Sequence, residues 1–141
     1  MRFAAIRPCG HHATYAEAMG FCIFNNVAVG ARHAINRHGL SRVAILDFDV
    51  HHGNGTEDIF RDDARVMLCS SFQHPYYPGT GANSGNAHIV PTPLAAGTGS
   101  AEFRRAITAT WLPALEKFAP ELIIISAGLT RTKMTRSPIL N

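Results

Sequence analysis

Apolar and polar positions divide the chain into short continuous apolar runs and one long amphipathic stretch, separated by glycine- and proline-rich punctuation. Residues 43–46 (VAIL), 65–70 (RVMLCS) and 122–126 (LIIIS) are strand-length stretches built on continuous apolar, partly β-branched runs, the profile of strands buried on both faces. A shorter run at residues 88–90 predicts a fourth strand, with Pro91, Pro93 and Gly97 in the loop after it. Over residues 21–37 the period changes: Phe24, Val27, Ala31 and Ile35 share one face by three- and four-residue steps, and Gly39 is placed to stop the helix. A second helix is predicted from Ser100 as N-cap, with Glu102 in its first turn and a stripe of Phe103, Ile107, Trp111, Leu115 and Phe118. Pro113 should kink that helix or restart it. Strand and helix in alternation, with apolar strands, argue a mainly parallel sheet covered by helices on both sides, a three-layer αβα fold.

The first strand ends on chemistry. In AILDFDVHHGNGTEDIF, Asp47, Asp49 and His51 follow the apolar run at alternate positions, so an extended backbone turns all three to one side. Gly53, Asn54 and Gly55 then let the chain turn tightly. Carboxylates and imidazoles at the carboxyl end of a strand lie where open α/β sheets bind ligands, and oxygen with neutral imidazole donors suits a borderline divalent ion such as zinc. The competing reading makes the aspartates turn caps and His51 and His52 surface histidines. A second pair, His11-His12, follows a Pro8-Cys9-Gly10 turn. His33 and His38 read as helix-surface residues. Residues 71–84, with HPYYPGTGAN, form a loop long enough to be part of a site, and Tyr76 and Tyr77 could wall a pocket. GTGAN and AAGTGS lack the full spacing of phosphate-binding loops.

At 141 residues the chain fits one domain, and no run approaches the ~20 apolar residues that span a bilayer. The net charge of +3 does not point to nucleic acid, because the excess comes entirely from Arg131, Lys133 and Arg136 in the last stretch. Cys9, Cys22 and Cys69 are odd in number and widely spaced, which argues against a disulfide framework and for a reducing cytoplasm.

RPCGHHA, AMGFCIFNNVAVGAR, VAILDFDVHHGNGTEDIF, HPYYPGTG, PLAAGTGS and FAPELIIISAG, in that order, resemble the zinc-dependent histone deacetylase superfamily. The likeness is strongest to its bacterial class II-like branch, with acetylpolyamine amidohydrolases and acetoin-utilisation proteins as relatives. The resemblance implies an arginase/deacetylase-like fold, here incomplete, with residues 1–128 a partial deacetylase domain. It implies one Zn2+ on Asp49 and His51, His12 as general base and then acid, and His11 as a charge-stabilising partner oriented by Asp47. It further implies an acyl-lysine tunnel walled by Phe21 and Tyr77, with Gly20 beside it. Asp47, Asp49, His51 and Ser70 match a buried monovalent-cation site for an ion such as K+. The implied substrate is an acylated lysine or acylated small amine, with no membrane or nucleic-acid partner. A non-catalytic remnant that only binds acylated amines is the alternative. A structural zinc knot on Cys9, His11 and His12 is disfavoured because no matching cysteine pair completes four ligands.

The chain departs from the family after Gly128. There the pattern continues Phe-Asp-Ala-His and its Asp is the third zinc ligand, whereas Leu129 and Thr130 stand here. One set of codons for residues 129–140, read one base out of register after restoring a T, gives Phe-Asp-Ala-His-Lys-Asp-Asp-Pro-Leu-Ala-Asn-Leu. Residues 129–141 are therefore expected to be an aberrant, frameshifted basic tail, testable by resequencing across Gly128. Weak zinc binding and little activity follow, and open sheet edges call for an oligomer or covering partner.

Overall fold

The computed structural model describes residues 4–128, so the expected aberrant tail lies outside the described residues. The elements run α1 (Asn26–His38), β1 (Val43–Asp47), α2 (Asn54–Phe60), β2 (Val66–Gln73), β3 (Ile89–Leu94), α3 (Ser100–Phe118) and β4 (Leu122–Ser126). The four strands are all parallel, in the order β3-β2-β1-β4.

Two apolar layers hold the sheet. On one face Val43, Ile45, Val66, Leu68 and Ile89 pack against Val27, Ala31 and Ile35 of α1 and Phe60 of α2. On the other, Ala44, Met67 and Cys69 pack against Trp111 of α3, with Ile107, Ala114, Leu115 and Phe118 around it. Trp111 is core, as its place in the stripe implies, and its indole N–H donates to Thr92 Oγ1 at 3.0 Å. His33 and His38 are exposed, as expected.

The chain leaves β1 through α2 to reach β2 on one side. It returns through α3, on the opposite face, to place β4 on the other side. The strand order reverses at β1, and the crevice beyond its carboxyl end is the switch point where open parallel sheets form their sites.

Several expectations need correcting. α1 begins at Asn26 rather than residue 21, because the Asn25 side chain caps it by accepting from the Ala28 N–H at 3.1 Å; Phe24 lies outside the helix and is exposed. Residues 53–55 do not simply turn: Asn54 opens α2, a helix too short for a periodic signature. β3 runs through Pro91 and Pro93. It is an edge strand, and these two residues share the parity that faces away from β2, so their missing N–H groups break no ladder bond. α3 starts from Gly99 as its cap, with the Glu102 carboxylate accepting the Gly99 N–H at 3.0 Å. Pro113 does not restart it, since Trp111 before it and Leu115 after it pack on the same sheet face. β4 is not buried on both faces: Ile123 and Ile125 are 50% and 59% exposed, because β4 is an edge and α3 lies over β2 and β3.

Candidate functional site

Beyond β1 the chain bends at residues 49–51 but stays hydrogen-bonded to both neighbouring strands. Phe48 N–H donates to the Ser126 carbonyl of β4, and Gln73 N–H of β2 donates to the Val50 carbonyl. Asp47 and Asp49 are buried while Phe48 faces out, as alternation predicts, and the bend then brings the His51 ring onto Asp49. Asp47 is fully buried and accepts the Asp49 N–H on Oδ1. Asp49 is nearly so, and its Oδ1 accepts both the backbone N–H of His51, at 2.8 Å, and His51 Nδ1, at 2.9 Å.

The His11-His12 loop is held against this segment by backbone contacts. The Gly55 and Thr56 N–H groups, in the first turn of α2, donate to the His11 carbonyl at 3.0 and 3.2 Å. The Asn25 amide donates to the Ala13 carbonyl and to Thr56 Oγ1, and the Asn26 amide to the Pro8 carbonyl. The approach leaves no space for side chains: a Cβ on Gly55 would lie 2.2 Å from the Ala13 carbonyl oxygen, and one on Gly53 would lie 2.6 Å from Asp47 Oδ2.

So placed, the two histidines acquire opposite characters. His11 Nδ1 donates to Asp47 Oδ2 at 2.8 Å with both side chains out of solvent. Burial pulls its pKa down, but the adjacent carboxylate outweighs burial and lifts it to about 11, so the ring is a cation at neutral pH. His12 Nδ1 donates to Asn54 Oδ1 at 2.7 Å. Its pKa is lowered, first by burial and then by the charge on His11, so it is neutral and Nε2 carries the lone pair. The ring centroids of His11 and His12 are 4.1 Å apart, and His12 and His51 are 5.8 Å apart.

Tyr77 stands edge-on to His12 at 5.0 Å, and Tyr76 stacks on His51 at 5.2 Å. Met19 and Cys22 pair in an isolated antiparallel bridge with Gly20 and Phe21 at its tip, both at positive φ. Gly20 presses on the His12 ring, where a Cβ would come within 2.3 Å of Cδ2. Phe21 is 99% exposed and forms no enclosed wall among the described residues. Ser70 lies beside Asp47 in the β1–β2 register, with its Oγ 3.2 Å from His52 Nδ1. His52 is buried rather than superficial: its Nε2 donates to Glu57 Oε2 at 3.0 Å, and Glu57 also binds Arg61 and Ser84. A groove of about 680 Å³ between residues 14–18 and α1 is lined by none of the histidine cluster.

Two observations fit a metal here. Asp49 Oδ1 and His51 Nδ1, an oxygen and an imidazole nitrogen of the kind zinc accepts, lie 2.9 Å apart, and the hydrogen bond between them would give way to an ion. Among the described residues, His11 Nε2 is the buried side-chain polar atom left without a hydrogen bond. Gly128 sits so close that a Cβ on it would overlap Asp49 Oδ2, so the end of β4 abuts the carboxylate. Thr130, where a third ligand is expected, lies outside the described residues. Cys9, His11 and Asp49 also bring one donor atom each within 4.8 Å, but His11 spends Nδ1 on Asp47 and is protonated, so it is a poor ligand.

The sequence reading therefore placed His11, His12, Asp47, Asp49, His51, Tyr77 and Gly20 in one region, and the fold brings them together. It missed Asn54, read only as a turn residue, and the packing of Gly53 and Gly128. Asn54 follows a glycine and opens a helix beside a histidine-rich run, but nothing local ties it to a histidine 42 positions back.

A histone deacetylase domain family model matches residues 1–135. Histone deacetylase 14, chloroplastic, of Arabidopsis thaliana is 46% identical over 132 residues, which cover 89% of this chain and 31% of that protein. Polyamine deacetylase HDAC10 of Rattus norvegicus is 42% identical over 137 residues, covering 89% and 23%. The solved HDA15 HD domain superposes with a TM-score of 0.80 at 41% identity, over 87% of this chain and 38% of that one. The chain thus spans about a third of the plant relative's length and less of the rat one. Among the described residues no helix is long and apolar enough to cross a membrane. With a matching fold, a matching family model and the histidine–carboxylate cluster at the switch point, this chain belongs to the histone deacetylase domain family.

Proposed function

We propose that this chain carries the acid–base and part of the metal-binding machinery of a zinc-dependent amidohydrolase that removes acyl groups from acylated lysine or acylated small amines. The observation that carries the reading is that two adjacent histidines have different partners, His11 the Asp47 carboxylate and His12 the Asn54 amide, beside Asp49 and His51. Asp49 and His51 would hold the ion, which when bound supplies a water of lowered pKa and a polarised carbonyl. His12, with its Nε2 lone pair free, would take a proton from an attacking water and return it to the leaving amine. His11, kept cationic by Asp47, offers its otherwise unused Nε2–H to the oxygen that becomes anionic. Tyr76 and Tyr77 flank the imidazoles, and an apolar wall favours a neutral acylated amine over a free ammonium, whose unpaired burial is costly.

The reading extends to a monovalent cation such as K+ on Asp47, Ser70 and the backbone of Asp49 and His51, supported by the Asp47–Ser70 register. It also includes a reducing, cytoplasm-like compartment, supported by three free cysteines, and a partner or oligomer over Ile123 and Ile125. With Thr130 in place of a carboxylate, the chain binds zinc weakly and turns over little substrate; residues 1–128 are a partial deacetylase domain and 129–141 an aberrant basic tail.

Hydrolysis of an acetyl-lysine peptide and zinc content, measured on the purified chain and on Thr130→Asp, test this. Weak zinc and negligible turnover in the first, and recovery of both in the second with loss on adding a chelator or His12→Ala, is the expected result. Robust turnover by the unaltered chain overturns the account of Thr130. Turnover in Thr130→Asp that survives His12→Ala overturns the assignment of the base.

A further inference from the structure

All three cysteines are free, but they are not equivalent. Cys9 and Cys22 face each other with their sulfurs 3.8 Å apart, across 13 positions of sequence, whereas Cys69 lies in β2 inside the layer under α3. We propose that Cys9 and Cys22 are a reversible dithiol–disulfide site, oxidised by peroxide and reset by a dithiol, which closes a ring of chain containing His11, His12 and Gly20.

A disulfide bond is about 2.05 Å long, so the sulfurs need to approach by about 1.8 Å. The two segments are already joined, since the Gly10 N–H donates to Cys22 Sγ at 3.2 Å. The roles of the two sulfurs are distinct. Cys9 is partly exposed and its pKa is lowered, first by the His11 ring beside it, against the effect of burial. Cys22 is buried, and burial raises its pKa. An accessible, more acidic thiol next to a less acidic one is the arrangement of an attacking and a resolving cysteine. Cys69 serves as an internal reference, its thiol pushed up to about 12 by burial.

The chemistry balances with peroxide as the oxidant. The Cys9 thiolate attacks one peroxide oxygen; the S–O bond forms, the O–O bond breaks, and the departing hydroxide takes a proton to become water. Cys22 sulfur then attacks Cys9 sulfur; the S–S bond forms, the S–O bond breaks, and the hydroxide leaves with the Cys22 proton as a second water. Two thiols and one peroxide give one disulfide and two waters. A dithiol reverses it by exchange, carrying the oxidation away as its own disulfide.

The test is peroxide titration of the purified, reduced chain, followed by thiol counting in denaturant and peptide mapping without reductant. The expected result is a fall from three free thiols to one, that one being Cys69, with a linked Cys9–Cys22 peptide that dithiothreitol abolishes. In Cys22→Ser, Cys9 is expected to stop at the sulfenic acid and be trapped by dimedone; in Cys9→Ser, Cys22 is expected to stay reduced. If either variant fails to fold, mapping of the unaltered chain still decides. Oxidation of Cys69 at the same rate, over-oxidation of Cys9 with Cys22 left as a thiol, or disulfides only between molecules would each overturn the proposal. These readouts count thiols and do not depend on whether the chain hydrolyses an acylated amine.

Discussion

Replacing Asp47 by Asn removes the charge that holds His11 in its state while keeping the shape of the side chain. Asp47 is 0% and His11 1% exposed, so no water can take over the lost interaction. The amide oxygen can still accept the Asp49 N–H now bound by Oδ1, which confines the change to the ion pair. Removing one partner of a buried pair costs about 3–5 kcal/mol, against about 5–15 kcal/mol of total stability for an ordinary domain. The pH dependence gives a sharper signature. His11 has a folded pKa raised from 6.5 to about 11, so its contribution is fully present below pH 6.5 and is lost as pH rises through about 11. In Asp47→Asn the ring is buried without a counter-charge and folds neutral, so the variant gains nothing from protonation. The stability gap between the two proteins should therefore be widest near pH 6 and narrow above it, by about 1.4 kcal/mol per pH unit at most. Urea unfolding followed through Trp111, the single and buried tryptophan, measures both proteins from pH 6 to 10. A gap under about 1 kcal/mol at pH 6, or one that widens with pH, would refute the charged-pair account.

Further changes test other parts of the structure. Gly55→Ala puts a Cβ against the Ala13 carbonyl and should cost about 1–3 kcal/mol by overpacking, read as a lower Tm and faster amide exchange at residues 11–13. Asn54→Ala should release His12 Nδ1, so that nitrogen-15 NMR of the ring changes from one neutral tautomer to a mixture, at about 1 kcal/mol of stability. Thr130→Asp should tighten zinc at least ~10–100-fold in chelator competition, with no change in a double variant that also carries Asp49→Ala. Ile123→Thr should change stability by no more than about 0.5 kcal/mol while reducing self-association in sedimentation, whereas Ile45→Ala should cost about 2–5 kcal/mol.

Continuous apolar runs marked β1, β2 and β4 because a strand in a parallel sheet has that profile wherever it lies, and the α3 stripe was legible because nineteen residues give the helical period room to repeat. What local pattern could not report was position in the sheet. LIIIS reads as doubly buried, yet β4 is an edge and Ile123 and Ile125 face outward, because α3 covers the opposite half of the sheet. The same edge logic, at the other side, admits Pro91 and Pro93 into β3. α2 escaped for a different reason: seven residues beginning Asn-Gly carry turn chemistry and barely two helical turns, and what holds them helical is tertiary, the His11 carbonyl at one end and Phe60 in the core at the other.

In the site, alternation accounts for Asp47 and Asp49 turning inward with Phe48 out, whereas His51 joins them through a bend at residues 49–51 that alternation did not report. Alternation could not say which histidine would be a cation. His11 and His12 are neighbours of identical type, and nothing between residues 8 and 14 distinguishes them. The distinction is written 36 and 42 positions later, where one ring meets a carboxylate and the other an amide. An amide oxygen accepts the same N–H as a carboxylate but brings no charge, so it fixes the tautomer of His12 without raising its pKa as Asp47 raises that of His11. Exchanging the two partners should exchange the two protonation states. The division of labour within the pair is therefore a property of the β1-to-α2 segment, delivered to the histidine loop by glycines that allow the backbones to touch.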